Sequence, residues 1–221
     1  AQFDDRRERI LLGGIGTAET LEKLDTWVDR CSRHIPAKPE AKQPTLFPPF
    51  VGFNKSGGFR AELGFEERIA RPLKRSDVAD LLKIGDHGRR VEEAVELYYR
   101  QVKFLAQNRN VDVVACVIPD DLYDSVATEG PKSADENPED SGGDYRETNF
   151  RRLLKARCMH LGRPLQILRE VTLVGGASQQ DDATRAWNLC TALYYKANQT
   201  VPWKLKTSAN RPSVCLAGIG F

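Results

Sequence analysis

Residues 111–118, VDVVACVI, are nearly all apolar and rich in β-branched side chains, and Pro119 ends the run. A strand with polar residues at alternate positions can keep one face in water, but a strand without them has to be covered on both. The segment is therefore expected to be a central strand of a parallel sheet, with helices on either side. The flanking sequence supplies them. Residues 90–108 place Val91, Ala94, Val95, Tyr98, Val102 and Leu105 at three-and-four spacing, which makes one buried stripe. Residues 17–34 put Leu21, Leu24, Trp27, Val28 and Cys31 on one face, behind Thr17, Glu19, Thr20 and Glu22 as cap oxygens and first-turn acids. Further strands are expected at 9–16 (RILLGGIG, closing in a glycine turn), 59–63 and 164–168. Further helices are expected at 76–84, capped by Ser76 and Asp77, and at about 147–161 and 182–197. Alternating strands and helices imply an α/β, Rossmann-like layered fold with right-handed crossovers.

Two stretches break that alternation. Residues 35–58 hold many of the twelve prolines around FPPFVGF, and their apolar content predicts an excursion that packs on the domain. Residues 125–145 are read as a flexible insertion: EGPKSADENPEDSGGDY, 129–145, carries six acids against one lysine. The formal net charge of +2 is thus −5 from that segment and +7 from the rest, and residues 146–169 hold seven basic side chains and one acid. A near-neutral total does not exclude an anion-binding surface. A length of 221 residues suits one large domain. No run of eighteen apolar residues is present, so no transmembrane helix is expected. The opening AQFDDRRERI is charged where a secretory signal would be apolar, and the expectation is a cytoplasmic protein without a membrane partner. Cys31, Cys116, Cys158, Cys190 and Cys215 form no C-x-x-C pair and read as small buried thiols, not zinc ligands or disulfides.

Several residues carry the chemistry. Gly13-Gly14-Ile15-Gly16-Thr17 joins strand to helix, where a dinucleotide site needs three spaced glycines. With Gly14 and Gly16 as the first two, the third position is Glu19, which would face a pyrophosphate. Close helix-strand packing is the better reading. His34, His87 and His160 lack metal-ligand spacing, and Asp120, Asp121 and Asp124 follow a strand as either turn residues or a metal site. In the helix after the insertion, Asp144 and Glu147 have capping-box spacing, and Phe150, Leu153, Leu154, Cys158 and Leu161 make the apolar side. Arg151 and Lys155, four apart, share the outer side with Arg152 alongside. Cations that close repel, so they are either solvated or waiting for an anion.

Gln166 follows Lys155 by eleven residues, and Lys196 falls near the end of the next helix, ahead of a Pro-Trp pair. The blocks FRRLLKARCMHLGRPLQ, ATRAWNLCTALYYKANQTVPWKL and VCLAGIGF resemble the MID domain of Argonaute proteins running into the first strand of their PIWI domain. RILLGGIGTAETLEKLDTWVDRC is similar to the opening of that domain in short prokaryotic Argonautes, LFPPFVGF to an insertion of that group, and VDVVACVIPDDLYD to the strand before the guide pocket. The resemblance implies a Rossmann-like MID domain over residues 1–207, followed at 208–221 by the start of an RNase H-like PIWI domain. It also implies that Arg151 packs against the first guide nucleotide, while Lys155, Gln166 and Lys196 hold the guide's 5′-phosphate. Two lysines can neutralise a terminal phosphate, an amide adds a directional donor, and a guanidinium can stack on a base.

By the same resemblance the partners are a short guide, RNA or DNA, complementary target DNA, and an effector that is TIR-like, sirtuin-like or a nuclease. The chain itself is expected not to be an enzyme: the position of the first metal-binding aspartate of active PIWI domains is Gly220. No cofactor is assigned. Family members often place Mg²⁺ between guide phosphates and a C-terminal carboxylate; since Phe221 is not the family's natural end, the resemblance leaves Mg²⁺ at the guide phosphate to a longer protein. A second departure is Asn198-Gln199-Thr200-Val201 where the family has Gly-Gly before Pro-Trp. Two other readings stand beside this one: a Rossmann-like nucleotide-binding enzyme using Gly13–Gly16, and a non-catalytic interaction module of a larger complex.

Overall fold

The structure, a computed structural model, describes residues 7–38, 47–127, 149–176 and 179–198. It is an α/β fold whose five strands all pair in parallel: β1 (Arg9–Thr17), β2 (Glu62–Gly64), β3 (Ala70–Leu73), β4 (Val113–Ile118) and β5 (Leu165–Arg169). On one side β1 meets β4. On the other it pairs with β2 along its first half, Arg9 opposite Glu62, and with β3 along its second, Gly14 opposite Ala70. A 3-10 turn, Glu67–Ile69, interrupts this edge. β5 pairs with β4, Leu165 opposite Val114, and forms the opposite edge of the described sheet.

β4 dictates the layering, because all six of its residues are buried. Its odd positions, Val113, Ala115 and Val117, enter one core with α1 (Ala18–Cys31), α6 (Glu170–Val174) and α7 (Asp182–Ala197). Its even positions, Val114, Cys116 and Ile118, enter a second core with α2 (Arg75–Leu82), α3 (His87–Asn108), α4 (Asp120–Ala127) and α5 (Phe150–Cys158). Period-two alternation in β4 thus builds two cores back to back, one per face. The helix faces match the apolar stripes of the sequence: α3 buries Val91, Ala94, Val95, Tyr98, Val102 and Leu105, and Tyr98 donates its hydroxyl to Val117 O at 2.8 Å inside the core.

The described parts of the excursion, residues 35–38 and 47–58, pack on the domain as expected. Ile35 and Phe50 exchange backbone hydrogen bonds at 3.0 and 2.8 Å. Phe50, Phe53 and Phe59 are buried against α7, with Phe50–Trp187 and Phe59–Tyr194 ring centroids 5.1 and 5.5 Å apart. Trp187 adds a hydrogen bond from Nε1 to Pro49 O at 3.1 Å.

Several boundaries differ from the sequence reading. β1 runs through the glycines to Thr17, so no separate turn precedes α1. Helix α3 starts at His87 because Asp86 caps it, accepting from Arg89 N at 2.7 Å. Helix α2 starts at Arg75 with no side-chain cap, not at Ser76. The strand expected at 59–63 is the shorter β2, and β3, α4 and α6 were not foreseen. The acidic stretch with Asp144 and Glu147, Cys215, the VPWKL and VCLAGIGF runs and Gly220 lie outside the described residues. Among the described residues no helix is long and apolar enough to cross a membrane.

Candidate anion-binding site

Asn149 starts α5. Its Oδ1 accepts from the backbone N–H groups of Arg151 and Arg152 at 3.0 and 3.3 Å, which satisfies two of the donors a helix start leaves open. Phe150, Leu154 and Cys158 turn inward, and the Phe150 ring packs edge-on to Tyr98 at 5.6 Å. With those positions buried, Arg151 and Lys155 project outward, and both are exposed. The contrast with Arg157 on the same helix is informative. Arg157 pairs with Glu96 at 2.7 Å and lies over the Tyr99 ring, whereas neither Arg151 nor Lys155 has a carboxylate partner among the described residues.

Helix α7 approaches from the other face of the sheet. Asp181 caps its start, accepting from Thr184 N at 3.1 Å and Thr184 Oγ1 at 2.7 Å. Leu189, Cys190, Leu193, Tyr194 and Ala197 are buried, which leaves Lys196 to leave the last turn toward β5. Its Nζ donates to Leu165 O at 2.7 Å and to Gln166 Oε1 at 2.5 Å. Burial, then the charges of Lys155 and Arg151, bring the Lys196 pKa down from its ordinary 10.5 to about 8. The end of α7 is tied down separately: Arg7 donates from Nε to Ala197 O at 3.0 Å and pairs with the buried Asp112 at 3.0 Å.

The structure thus joins Lys196 to Gln166 and Leu165 at the start of the edge strand β5, with Lys155 and Arg151 near enough for their charges to act on Lys196. Lysine and arginine are donors only, and the amide oxygen of Gln166 is already occupied by Lys196. What the cluster offers a ligand is therefore three cationic groups and an amide NH₂. That is the chemistry of an oxyanion site, and the depressed pKa of Lys196 reflects first its burial and then the neighbouring cations. Sequence reasoning names these four side chains as candidates but not Leu165 O, whose role is a backbone one, nor the Arg7–Asp112 anchor, which joins residues far apart in the chain.

The other candidates have structural occupations. Gly14 faces α1 and β-sheet neighbours so closely that a Cβ would stand 2.5 Å from Phe65 Cε2, and one on Gly16 would stand 2.4 Å from Thr20 Oγ1. Gly13, on the opposite face, is 3.1 Å by the same measure from Leu105 Cδ1. The cluster lets helices close on both faces of β1, so its glycines are accounted for by close packing. Asp120 and Asp121 open α4 and, with Thr17, Glu19, Arg75, Pro119 and Glu170, line a cavity of about 490 Å³ at the carboxyl ends of the strands. Its acids are largely spent on the fold: Glu170 receives Lys23 Nζ and Asp120 N, Asp120 accepts from Val171 N at 3.3 Å, and Glu19 pairs with Lys23 at 2.7 Å. Asp124 meets Arg169 at 3.5 Å. His34 is exposed, His87 opens α3, and His160 Nε2 is 3.4 Å from Tyr99 OH. Among the described residues no group of three or more His, Cys, Asp or Glu is disposed to hold a metal ion. Cys31, Cys116, Cys158 and Cys190 are free and buried, and burial pushes the Cys158 thiol up to about 11. No family model matches the chain, and a search of curated proteins finds no match either.

Proposed function

We propose that this chain anchors the 5′-phosphorylated end of a short guide nucleic acid, in the manner of the MID domain of a short prokaryotic Argonaute. The observation that carries the reading is the convergence of Arg151, Lys155 and Lys196 with Gln166 at one strand edge, with no carboxylate of the described residues answering Arg151 or Lys155. A terminal phosphate brings nearly two negative charges and three acceptor oxygens to four donor groups. An internal phosphodiester brings one charge and fewer free oxygens, so the pocket favours an end over the middle of a strand. Arg151 is suited to lie against the first base while the lysines take the phosphate. Sequence is then read by the guide's own base pairing with target DNA, and the protein contributes binding and orientation, not cleavage. The guide is proposed to be RNA, the setting cytoplasmic prokaryotic defence, and the response to come from a TIR-like, sirtuin-like or nuclease effector.

The test is a binding measurement with paired oligonucleotides. A charge-assisted hydrogen bond contributes about 1.5–3 kcal/mol, so two of them predict that a 5′-phosphorylated strand binds about a hundredfold or more tightly than its 5′-hydroxyl twin. Lys155→Ala and Lys196→Ala should each remove most of that ratio while leaving the hydroxyl strand little changed. Equal affinity for the two ends in the parent protein refutes the reading.

A further inference from the structure

Lys196 spends two of its three N–H donors inside the protein, on Leu165 O and on Gln166 Oε1. An ammonium has no lone pair, so only the oxygen of an amide can face it. The charged lysine therefore fixes which way the Gln166 amide points, leaving Gln166 Nε2 with no acceptor among the described residues. Resting on the phosphate reading above, we infer that Lys196 is the positioning residue of the pocket: in its charged form it holds the Gln166 amide with NH₂ toward the anion, and losing its proton both removes a charge and frees that amide to turn over.

The groups around Lys196 give this a direction. From α5 the charges of Arg151 and Lys155 act on it, and from β5 it contacts the Leu165 carbonyl and the Gln166 amide. At the end of its own helix, Arg7 is already paired with Asp112. No carboxylate among the described residues touches the Lys196 ammonium, and burial, followed by the charges of Lys155 and Arg151, brings its pKa down to about 8. A bound phosphate is the opposite charge that would hold it firmly. Anion capture is therefore coupled to proton uptake: above the pKa of the empty pocket, the neutral amine can accept from Gln166 Nε2, and the amide oxygen then meets the phosphate as a like-charged dipole.

The experiment measures the affinity ratio of 5′-phosphorylated to 5′-hydroxyl oligonucleotide from pH 7 to pH 9. It uses the parent chain, Lys196→Arg, Lys196→Met, Gln166→Leu and the Lys196→Met/Gln166→Leu double variant. For the parent the ratio is expected to fall about tenfold over that range, as one proton is lost from the empty pocket. In Lys196→Arg, whose guanidinium does not titrate there, it stays level. Gln166→Leu should lower the ratio severalfold in the parent and less than about twofold in the Lys196→Met background, because an amide that is no longer held contributes little. A level parent profile, or an undiminished Gln166→Leu effect in the Lys196→Met background, overturns the inference and leaves the phosphate reading standing. A parent chain without any 5′-phosphate preference at pH 7 overturns both. Should Lys196→Met fail to fold, the parent and Lys196→Arg profiles decide the matter alone.

Discussion

Replacing Gly16 with alanine asks directly whether the glycine cluster is packing or an open cradle. The added Cβ would stand 2.4 Å from Thr20 Oγ1 and 3.1 Å from Val117 O, so something has to move. Thr20 has little freedom. It is 1% exposed, its hydroxyl donates to Thr17 O at 3.1 Å, and its N–H is held by Thr17 Oγ1 at 3.3 Å. Val117 O belongs to the central strand and already accepts the Tyr98 hydroxyl. Relief therefore has to come from lifting the start of α1 off β1. Overpacking of this kind costs about 1–3 kcal/mol, and loosening the Thr17 cap adds about 1 kcal/mol. At roughly 2–4 °C per kcal/mol for a chain of this size, the melting temperature should fall by about 4–16 °C. Thermal denaturation followed by circular dichroism measures it. Adding Thr20→Ala removes the nearer of the two obstructions and should recover part of the loss. A Gly16→Ala protein that melts with its parent would refute this packing argument and restore an open glycine turn, the feature a nucleotide site needs.

Tyr98→Phe deletes the donor to Val117 O deep in the second core and should cost about 1–2 kcal/mol in urea denaturation, with the m-value unchanged. Asp181→Ala removes the cap of α7 and should cost about 1 kcal/mol at neutral pH. Burial raises the Asp181 pKa, but hydrogen bonds from Thr184 and backbone amides outweigh it, so the carboxyl titrates below its ordinary 3.8. A depressed carboxyl contributes stability that is full above its unfolded pKa and is lost as pH falls. The gap between parent and Asp181→Ala should accordingly narrow below about pH 4, as seen in melts across that range.

Periodicity made the large elements legible. The β4 run, the α3 stripe and residues 182–197 of α7 each have a hydrophobic pattern long enough to name both type and extent. Short elements were harder for identifiable reasons. In β3, Pro72 argues against a strand, yet an edge position that pairs only with β1 tolerates it. Asp120 and Asp121 look like turn residues, but acids directly after Pro119 also suit the first turn of a helix, and α4 uses them so. β1 keeps its glycines in strand because helices press on them from both faces, a cause local sequence does not reveal. The four candidate side chains come from spacing and resemblance. That Lys196 would reach across to Gln166 and Leu165 depends on α7 and β5 lying side by side, and only tertiary structure supplies that.

The alternation of β4 has a mechanical consequence at the site. Arg151 and Lys155 ride on a helix rooted in one core, and Lys196 rides on a helix rooted in the other, where the aromatic clamp of Phe50, Phe53 and Phe59 steadies it. Apart from the sheet between them, the two layers are separate bodies of packed side chains. On the proposed reading, a phosphate held by α5 and α7 together would be a rivet through the sandwich, tying the two layers at one edge of the sheet.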